Sequence, residues 1–260
     1  MIVETKYSRS LFQICAKQLL ELWTDNSNKV FVLRAELPPS DIKEFYFKNF
    51  KWLGKPFPLG EDATKGREEK SSGSIWFEVR NDSSIPNAYR HSTEPQPLHT
   101  DGSYIPNFPS STIMACVNNN AKGGETVFID SIKLFEIIES DDPSLLNNLM
   151  SENFLHERSG LSKKQPIIRD VGNDVYVNWN FYCISRQISA KQKIIANQFH
   201  NFLKNNKNVE SAKYALRLMP GDSVFWRDDL CLHGRNGFFA KNTSDRFLWK
   251  CAIDIGNFID

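Results

Sequence analysis

A histidine and an aspartate stand two residues apart in the stretch PLHTDGS at residues 97–103, as His99 and Asp101. The stretch otherwise has the pattern of a strand, and alternation along a strand would place both side chains on one face of a sheet. Together they cover part of one side of a small metal ion, and a third, distant ligand would complete a facial set. The pair alone is equally compatible with two side chains that only hydrogen-bond within the fold.

The third ligand has to come from the other histidines among the five in the chain. His91 and His156 have no acidic residue at ligand spacing, and His200 falls on a helix surface, so we interpret all three as structural. His233 differs, because it follows the turn-and-strand pattern MPGDSVFW at 219–226 and stands at the end of an expected core strand. We therefore take His233 as the third candidate ligand.

The composition is that of an ordinary globular chain. Its 260 residues are 40% hydrophobic and 24% charged, which is compatible with one β-sandwich or β-barrel, and we predict a single domain over residues 1–260. The formal charge of +1, with no basic run, argues against nucleic acid or an anionic membrane surface as a partner. A small molecule is the expected partner.

The cysteines and the first residues indicate a compartment. Five cysteines, odd in number and widely spaced, are typical of reduced core thiols rather than of a disulfide framework. Residues 1–10 carry charge and no continuous apolar run, so we expect neither a signal peptide nor a membrane span there. These features predict a cytoplasmic protein.

Hydrophobic periodicity predicts an antiparallel β-core decorated with helices. Three segments have helical spacing: residues 8–23, a segment from near Asp41 to before Gly54, and residues 191–205. Short strand patterns run through residues 75–130 and 154–254, with a helical insertion at 131–153 between them. This arrangement is compatible with a double-stranded β-helix, or jelly roll, flanked by α-helices.

One segment is strongly biased in composition. Residues 60–74 are rich in charge, serine and glycine and contain almost nothing apolar. They predict a mobile loop, which is either a plain solvated connection or a lid over an active site.

Further motifs accompany the His-x-Asp pair along the chain. They are LHTDG at 98–102, GGETV at 123–127, PIIR at 166–169 with VYVN at 175–178, PGD at 220–222, HGRNGF at 233–238 and DRFL at 245–248. As a set they resemble the iron(II)- and 2-oxoglutarate-dependent dioxygenases, in particular the taurine dioxygenase and clavaminate-synthase-like superfamily. The resemblance covers most of the chain apart from its first fifty residues. Its C-terminal part looks most like the branch that hydroxylates free or derivatised amino acids.

The resemblance implies a role for each matching residue. His99, Asp101 and His233 would bind Fe(II) as a two-histidine, one-carboxylate triad, leaving three positions for 2-oxoglutarate and dioxygen (O2). Arg246 would bind the distal carboxylate of 2-oxoglutarate through its planar guanidinium, and the Thr126 hydroxyl would add a hydrogen bond.

Residues near Arg246 are the expected substrate contacts. Lys250 lies four residues further on, so in a strand both side chains point to one face. In related enzymes the basic residue there binds the acidic group of the substrate, although lysine offers only a point charge. Open alternatives are a surface position for Lys250 and an ion pair between Arg246 and Asp245. Further candidates for substrate contact are Arg235, Gln96, Tyr104 and Asn180.

The implied reaction is oxidation, most simply hydroxylation, of an unactivated C–H bond in a small amino-acid-like or acidic metabolite, with release of succinate and carbon dioxide. Desaturation, epoxidation and ring closure stay open, whereas the retained Asp101 argues against halogenation, for which relatives carry a small residue there. Two other classes also stay open. One is a zinc-type hydrolase or cupin-type isomerase, which would not need Arg246 and Thr126; the other is a noncatalytic jelly-roll binding protein.

Overall fold

Two β-sheets lie face to face, and helices pack on the outer surface of each. The computed structural model describes residues 2–7, 12–24, 26–35, 41–58, 74–85, 89–109 and 111–258. The predicted fold class, a mainly β jelly-roll core flanked by helices, is confirmed. Of the segment predicted to be a mobile loop, all but the last residue lies outside the described residues.

The elements follow one another in an order that alternates helices with groups of strands. They are β1 (Ile2–Tyr7), α1 (Phe12–Trp23), β2 (Val30–Ala35), α2 (Ile42–Leu53), β3 (Gly54–Phe57), β4 (Phe77–Arg80), a 3-10 turn (Tyr89–His91), β5 (Gln96–His99), β6 (Ser111–Asn119), β7 (Lys122–Gly123), β8 (Thr126–Asp130), α3 (Ser131–Asp141), α4 (Pro143–Ser151), β9 (Phe154–Arg158), β10 (Leu161–Gln165), β11 (Ile168–Val171), β12 (Asp174–Val177), a 3-10 turn (Phe181–Cys183), α5 (Ala190–Asn205), α6 (Lys207–Ala212), β13 (Tyr214–Leu216), β14 (Ser223–Arg227), β15 (Cys231–Arg235), β16 (Phe238–Phe239) and β17 (Arg246–Ile255).

The larger sheet has the strand order β1-β2-β14-β6-β17-β3, and β4 also pairs with β17. All its pairings are antiparallel except that of β1 with β2, which is parallel. The helix α1 makes the crossover that a parallel pair requires. We did not expect β1, because Glu4 and Lys6 interrupt its apolar residues; its burial shows a partly exposed strand at the sheet edge.

The smaller sheet has the order β13-β8-β15-β5, and all its pairings are antiparallel. Its side chains alternate between two environments. Val127 and Ile129 of β8 join the apolar core formed with α3, α4 and α5, whereas Phe128 points into the core between the two sheets. The opposite face of the larger sheet packs on α1 and α2, so the space between the sheets is covered on both outer sides.

The helices begin where the sequence supplies capping side chains. Asp41 caps α2 by accepting a hydrogen bond from the backbone N–H of Glu44, and Ser189 forms a capping box with Gln192 at the start of α5. Gly54 follows α2 with φ +148, close against the backbone of Asp254, so the turn into β3 has no room for a side chain. No helix in the described part of the chain combines the length and apolar character needed to cross a membrane.

His156 lies on β9 and is fully buried on the same face of the strand as Phe154, which belongs to the apolar core formed with α3, α4 and α5. It has no acidic partner among the described residues. Its Nδ1 lies 3.4 Å from Nδ2 of Asn178, and its Nε2 has no hydrogen-bond partner among the described residues. Burial lowers the pKa of the imidazole to about 4. The folded protein therefore holds His156 neutral at a pH where the unfolded chain binds a proton.

Because this pKa is lowered in the folded state, His156 should cost stability as the pH falls from about 6.5 to about 4. We expect the free energy of unfolding to drop over that range by up to about 3 kcal/mol more in the wild type than in His156→Asn. Denaturant unfolding at several pH values measures the difference, and other acid-sensitive groups cancel between the two proteins. Parallel pH profiles would contradict the assignment.

Candidate functional site

A pocket between the two sheets contains all the residues that the sequence singled out. It is lined by His99, Asp101, His233, Thr126, Arg246, Lys250, Arg235, Gln96, Tyr104 and Asn180, together with Phe77, Val79, Tyr89, Arg90, Gly102, Met114, Arg158, Trp226 and Gly234. The smaller sheet supplies the histidines, and the larger sheet supplies Trp226, Arg246 and Lys250 from the facing side.

Strand pairing brings the two candidate histidine ligands together. His99 of β5 stands directly opposite His233 of β15, and their ring centroids are 4.2 Å apart. Nε2 of His99 is 3.7 Å from Oδ1 of Asp101, and Nε2 of His233 is 3.7 Å from Oδ2 of the same carboxylate. One ligand atom from each of the three residues falls within 4.8 Å of the others, which is the clustering expected of a metal centre.

Asp101 reaches this cluster by a route that differs from our expectation. The strand β5 ends at His99, and Asp101 lies in the turn that follows, so alternation along a strand does not explain its direction. Thr100 fixes the intervening backbone by bonding to the main chain of Trp179. Gly102 closes the turn with φ +55, where a Cβ would clash with the ring of Phe108.

Each histidine presents Nε2 to the cluster because its other nitrogen has a polar neighbour. Nδ1 of His99 is 2.9 Å from the carbonyl oxygen of Pro97, an acceptor that requires a proton on Nδ1. Nδ1 of His233 lies 3.2 Å from Oδ1 of Asp228, although the angle is too bent for a regular hydrogen bond. In both residues the lone pair of Nε2 is thereby directed to the site.

The charges of the cluster suit a divalent cation. Burial lowers the pKa of His233, and the neighbouring His99 adds to this, so the imidazole is neutral. Burial alone would raise the pKa of Asp101, but Lys250 and the two histidines hold it well below its usual range. Neutral imidazoles and an ionised carboxylate are the forms that bind metals.

Asp228 connects the candidate ligands, and the sequence analysis did not single it out. This carboxylate is 2% exposed. Its Oδ1 accepts hydrogen bonds from Nε1 of Trp226 at 2.8 Å and from the backbone N–H of Asp101 at 3.3 Å, and its Oδ2 accepts from the Thr112 hydroxyl. It therefore touches both the backbone of one candidate ligand and the ring of another, His233.

Lys250 points into the pocket rather than to the surface. Its side chain is 19% exposed, Nζ forms a close ion pair with Oδ2 of Asp101, and the ammonium lies 5.7 Å from the centre of the Trp226 ring. The alternative of a surface lysine is therefore wrong. The ion pair also places Lys250 beside a candidate metal ligand, a position that strand spacing alone did not indicate.

Arg246 is buried and only partly hydrogen-bonded. Its Nε donates to the carbonyl oxygen of Gly124 at 3.0 Å, whereas Nη1 has no hydrogen-bond partner among the described residues. The alternative ion pair with Asp245 is wrong, because that carboxylate accepts from the backbone of Lys241 and Asn242 instead. Thr126 is also buried and lines the same pocket.

The remaining predicted contacts surround this centre. Nε2 of Gln96 is 3.1 Å from Nε2 of His99, and Asn180 uses its side-chain oxygen to cap the 3-10 turn that follows it. Tyr104 is buried, with the Arg158 guanidinium 5.8 Å from its ring centre. Arg158 was not identified from the sequence, since a lone arginine at the end of β9 carries no motif.

The model of the taurine catabolism dioxygenase TauD, TfdA family matches residues 10–252. Uridine-5'-phosphate dioxygenase from a Streptomyces species is 24% identical over 170 residues, which cover 62% of this chain and 62% of that protein. The match thus spans less than two thirds of that relative.

Solved structures of low sequence identity share the fold. Asparagine oxygenase, in complex with Fe(II), 3-hydroxyasparagine and succinate, superposes with a TM-score of 0.67 at 11% identity, covering 94% of this chain and 80% of that one. The non-heme iron oxygenase OrfP, in complex with Fe and α-ketoglutaric acid, gives a TM-score of 0.65 at 16% identity over 94% of this chain and 79% of that one. On the family match, which spans nearly the whole sequence, the chain belongs to the TauD/TfdA dioxygenase family.

Proposed function

We propose that the protein is an Fe(II)- and 2-oxoglutarate-dependent oxygenase that hydroxylates an unactivated C–H bond of a small acidic or amino-acid-like metabolite. The observation that carries the proposal is a pairing within one pocket. The cluster of His99, Asp101 and His233 and the incompletely bonded guanidinium of Arg246 both face the same space. A metal-chelating oxo acid with a second carboxylate at its far end fits both groups at once.

The donor set supports iron as the metal. Two imidazoles and one carboxylate on one side of the ion form the facial arrangement used by non-heme Fe(II) oxygenases, with open positions on the other side. Zinc in a hydrolase can use similar ligands, but such an enzyme has no need for a buried arginine without a carboxylate partner in the same pocket. The noncatalytic alternative likewise leaves Arg246 unexplained.

Arg246 and Thr126 support 2-oxoglutarate as the cosubstrate. Burying a guanidinium with an unpartnered N–H is costly unless a ligand accepts the hydrogen bond. A carboxylate accepts from a planar guanidinium and still has a lone pair for a hydroxyl such as that of Thr126. Gly124 keeps this corner open, because a Cβ there would lie 2.9 Å from Nε of Arg246.

The remaining chemistry comes from the bound groups, while the protein positions them. Iron, 2-oxoglutarate and O2 would together supply an oxidant able to remove hydrogen from a C–H bond, with succinate and carbon dioxide as coproducts. His99 and His233 would hold the metal through Nε2, and Asp101 would contribute the negative charge. Met114 and Trp226 form an apolar wall that keeps water from this part of the pocket.

The charge of the pocket supports an acidic group on the substrate. Besides the cosubstrate corner, cationic side chains of Arg90, Arg158 and Lys250 line the space, and the aromatic rings of Tyr89 and Tyr104 flank them. Among the described lining residues the one carboxylate is Asp101, which the metal would take. Of the relatives named above, one is named for a nucleoside monophosphate, and asparagine oxygenase was solved with a hydroxylated amino acid. Both support a small polar metabolite as the substrate of this protein.

The same cofactors can also desaturate, epoxidise or close a ring, so the product decides the reaction class. All five cysteines are buried thiols outside any disulfide, which supports a reducing compartment such as the cytoplasm.

The proposal is tested by succinate formation from 2-oxoglutarate with Fe(II) and ascorbate, across a set of small carboxylic, phosphorylated and amino acids. We expect at least one of them to stimulate succinate release and to gain the mass of one oxygen atom. Anaerobic binding of 2-oxoglutarate should accompany this activity. The proposal would be overturned if 2-oxoglutarate does not bind and no compound supports turnover.

Substitution of Arg246 should weaken the binding of 2-oxoglutarate specifically. Arg246→Gln removes a buried charge-assisted contact worth about 2 kcal/mol, so the 2-oxoglutarate requirement should rise about 30-fold. Steady-state titration of 2-oxoglutarate measures this, and Fe(II) affinity serves as the control because Arg246 does not contact the triad. An unchanged 2-oxoglutarate requirement would remove Arg246 from the cosubstrate site.

Loss of the Asp228 charge should weaken metal binding. Asp228 orients the His233 ring and the Asp101 backbone, and carboxylates in this position typically affect metal affinity 10- to 100-fold. We expect about a tenfold or larger rise in the Co(II) dissociation constant for Asp228→Asn, measured by absorption titration. The matched control is Asp229→Asn, since Asp229 pairs with Arg227 outside the pocket. Equal affinities in both variants would contradict this role.

A further inference from the structure

Arg235 lines the same pocket as Thr126 and Arg246. It lies on β15 two residues after His233, so both side chains project from the same face of the smaller sheet. In the register of β15 with β8, Arg235 stands directly opposite Thr126. Thr126 is the residue that we propose as a partner of the distal carboxylate of 2-oxoglutarate.

Only part of the Arg235 guanidinium has hydrogen-bond partners. The residue is 4% exposed. Its Nη2 donates to the carbonyl oxygens of Tyr89 at 3.1 Å, Ser92 at 2.7 Å and Glu94 at 2.7 Å. Its Nε and Nη1 have no hydrogen-bond partner among the described residues, although both atoms are buried. One edge of the guanidinium therefore anchors the backbone, and the rest is left for another acceptor.

A second buried cation stands beside it. The guanidinium carbons of Arg235 and Arg246 lie 5.0 Å and 5.4 Å from the centre of the same Phe238 ring. Both guanidinium groups are almost fully buried, and their like charges repel each other. Glu125, which attracts Arg246 from a distance, forms no ion pair with either arginine in the described part of the chain.

Two buried like charges without a paired anion are costly in a low-dielectric interior. An anion placed between them would remove the repulsion and accept their free N–H groups. The required acceptor has several lone pairs and one negative charge, which describes a carboxylate. Its two oxygens have room for donors from Arg246, Arg235 and the Thr126 hydroxyl together.

We propose that Arg235 and Arg246 form a two-arginine site for the distal carboxylate of 2-oxoglutarate. In this proposal Arg235 binds the cosubstrate and not the substrate. The inference rests on the proposed function, since it requires 2-oxoglutarate in this pocket. It assigns Arg235 a role in selecting oxo acids with a second carboxylate. Nη2 can keep its three carbonyl partners while Nε or Nη1 binds the ligand, so the segment carrying Tyr89 stays anchored.

The test compares two 2-oxo acids that share the metal-chelating end. 2-Oxoglutarate has the distal carboxylate and 2-oxopentanoate lacks it, so the ratio of their affinities reports the two-arginine site and is insensitive to the metal. Binding is measured anaerobically on Co(II)-loaded protein. In Arg235→Gln we expect 2-oxoglutarate to bind about tenfold more weakly and 2-oxopentanoate to change by less than about twofold.

Three further measurements sharpen the comparison. In Arg235→Lys, which keeps the charge without the planar fork, the loss should be smaller. In the double variant of Arg235→Gln with Arg246→Gln, the loss should be less than the product of the single losses, because both act on one carboxylate. Arg34→Gln is the matched control: Arg34 also donates to a backbone carbonyl, but it lies outside the pocket, and both affinities should be unchanged.

A measurement on the unaltered chain keeps the inference testable if a variant does not fold. Glutarate, which has two carboxylates and no oxo group, should raise the melting temperature of the metal-free wild type, whereas its uncharged diamide, glutaramide, should not.

The outcomes separate the two proposals. If the metal-loaded wild type does not bind 2-oxoglutarate, the proposed function fails and this inference fails with it. If the wild type binds 2-oxoglutarate but Arg235→Gln weakens both oxo acids equally, Arg235 only anchors the backbone, and this inference alone is overturned. It is also overturned if Arg235→Gln leaves both affinities unchanged, or if glutarate and glutaramide affect the metal-free wild type equally.

Discussion

The antiparallel pairing of β15 with β5 and β8 determines where the site groups on the smaller sheet stand. It places His99 opposite His233, and the same register continued to β8 places Arg235 opposite Thr126. Because side chains alternate along a strand, a shift of one residue would turn His233 and Arg235 towards the helices and Leu232 towards the pocket. The register is held by that apolar alternation, so the packing of α3, α4 and α5 on one face of the sheet fixes the chemistry on the other.

The space between the sheets combines an apolar core with an unusual number of buried charges. Asp228 accepts hydrogen bonds from three donors and Asp101 pairs with Lys250, whereas buried N–H groups of Arg235 and Arg246 have no acceptor among the described residues. The carboxylate that we propose as the ligand would supply the missing acceptors. The free-energy cost of leaving these N–H groups unpaired in the empty pocket would then be recovered as affinity for that carboxylate.

Sequence patterns predicted the site residues, but only some of these residues are positioned by the local structure that the patterns implied. Residue type and order were enough to group His99, Asp101 and His233, but the direction of Asp101 comes from a turn, where a period of two has no meaning. The ion pair of Lys250 with Asp101 and the three carbonyl partners of Arg235 join residues that are more than a hundred positions apart. No local pattern reports such contacts. β1 was also not predicted. It is a half-exposed edge strand that pairs in parallel with β2, and its sequence has no continuous apolar run.

The pocket is divided between two kinds of support. Among the candidate metal and cosubstrate groups, His233 and Thr126 lie on strands paired on both sides, and Arg246 begins β17, where it pairs with β6. Tyr89 and Asn180 of the opposite wall stand at 3-10 turns outside the sheets. Substitutions in such connecting segments change the shape of the pocket without disturbing the strand register. In this chain Arg235 joins the two parts, because its backbone belongs to the paired strand β15 while its Nη2 holds the segment from Tyr89 to Glu94. Arg235 thereby fixes the segment from Tyr89 to Glu94 against the strand that also carries His233.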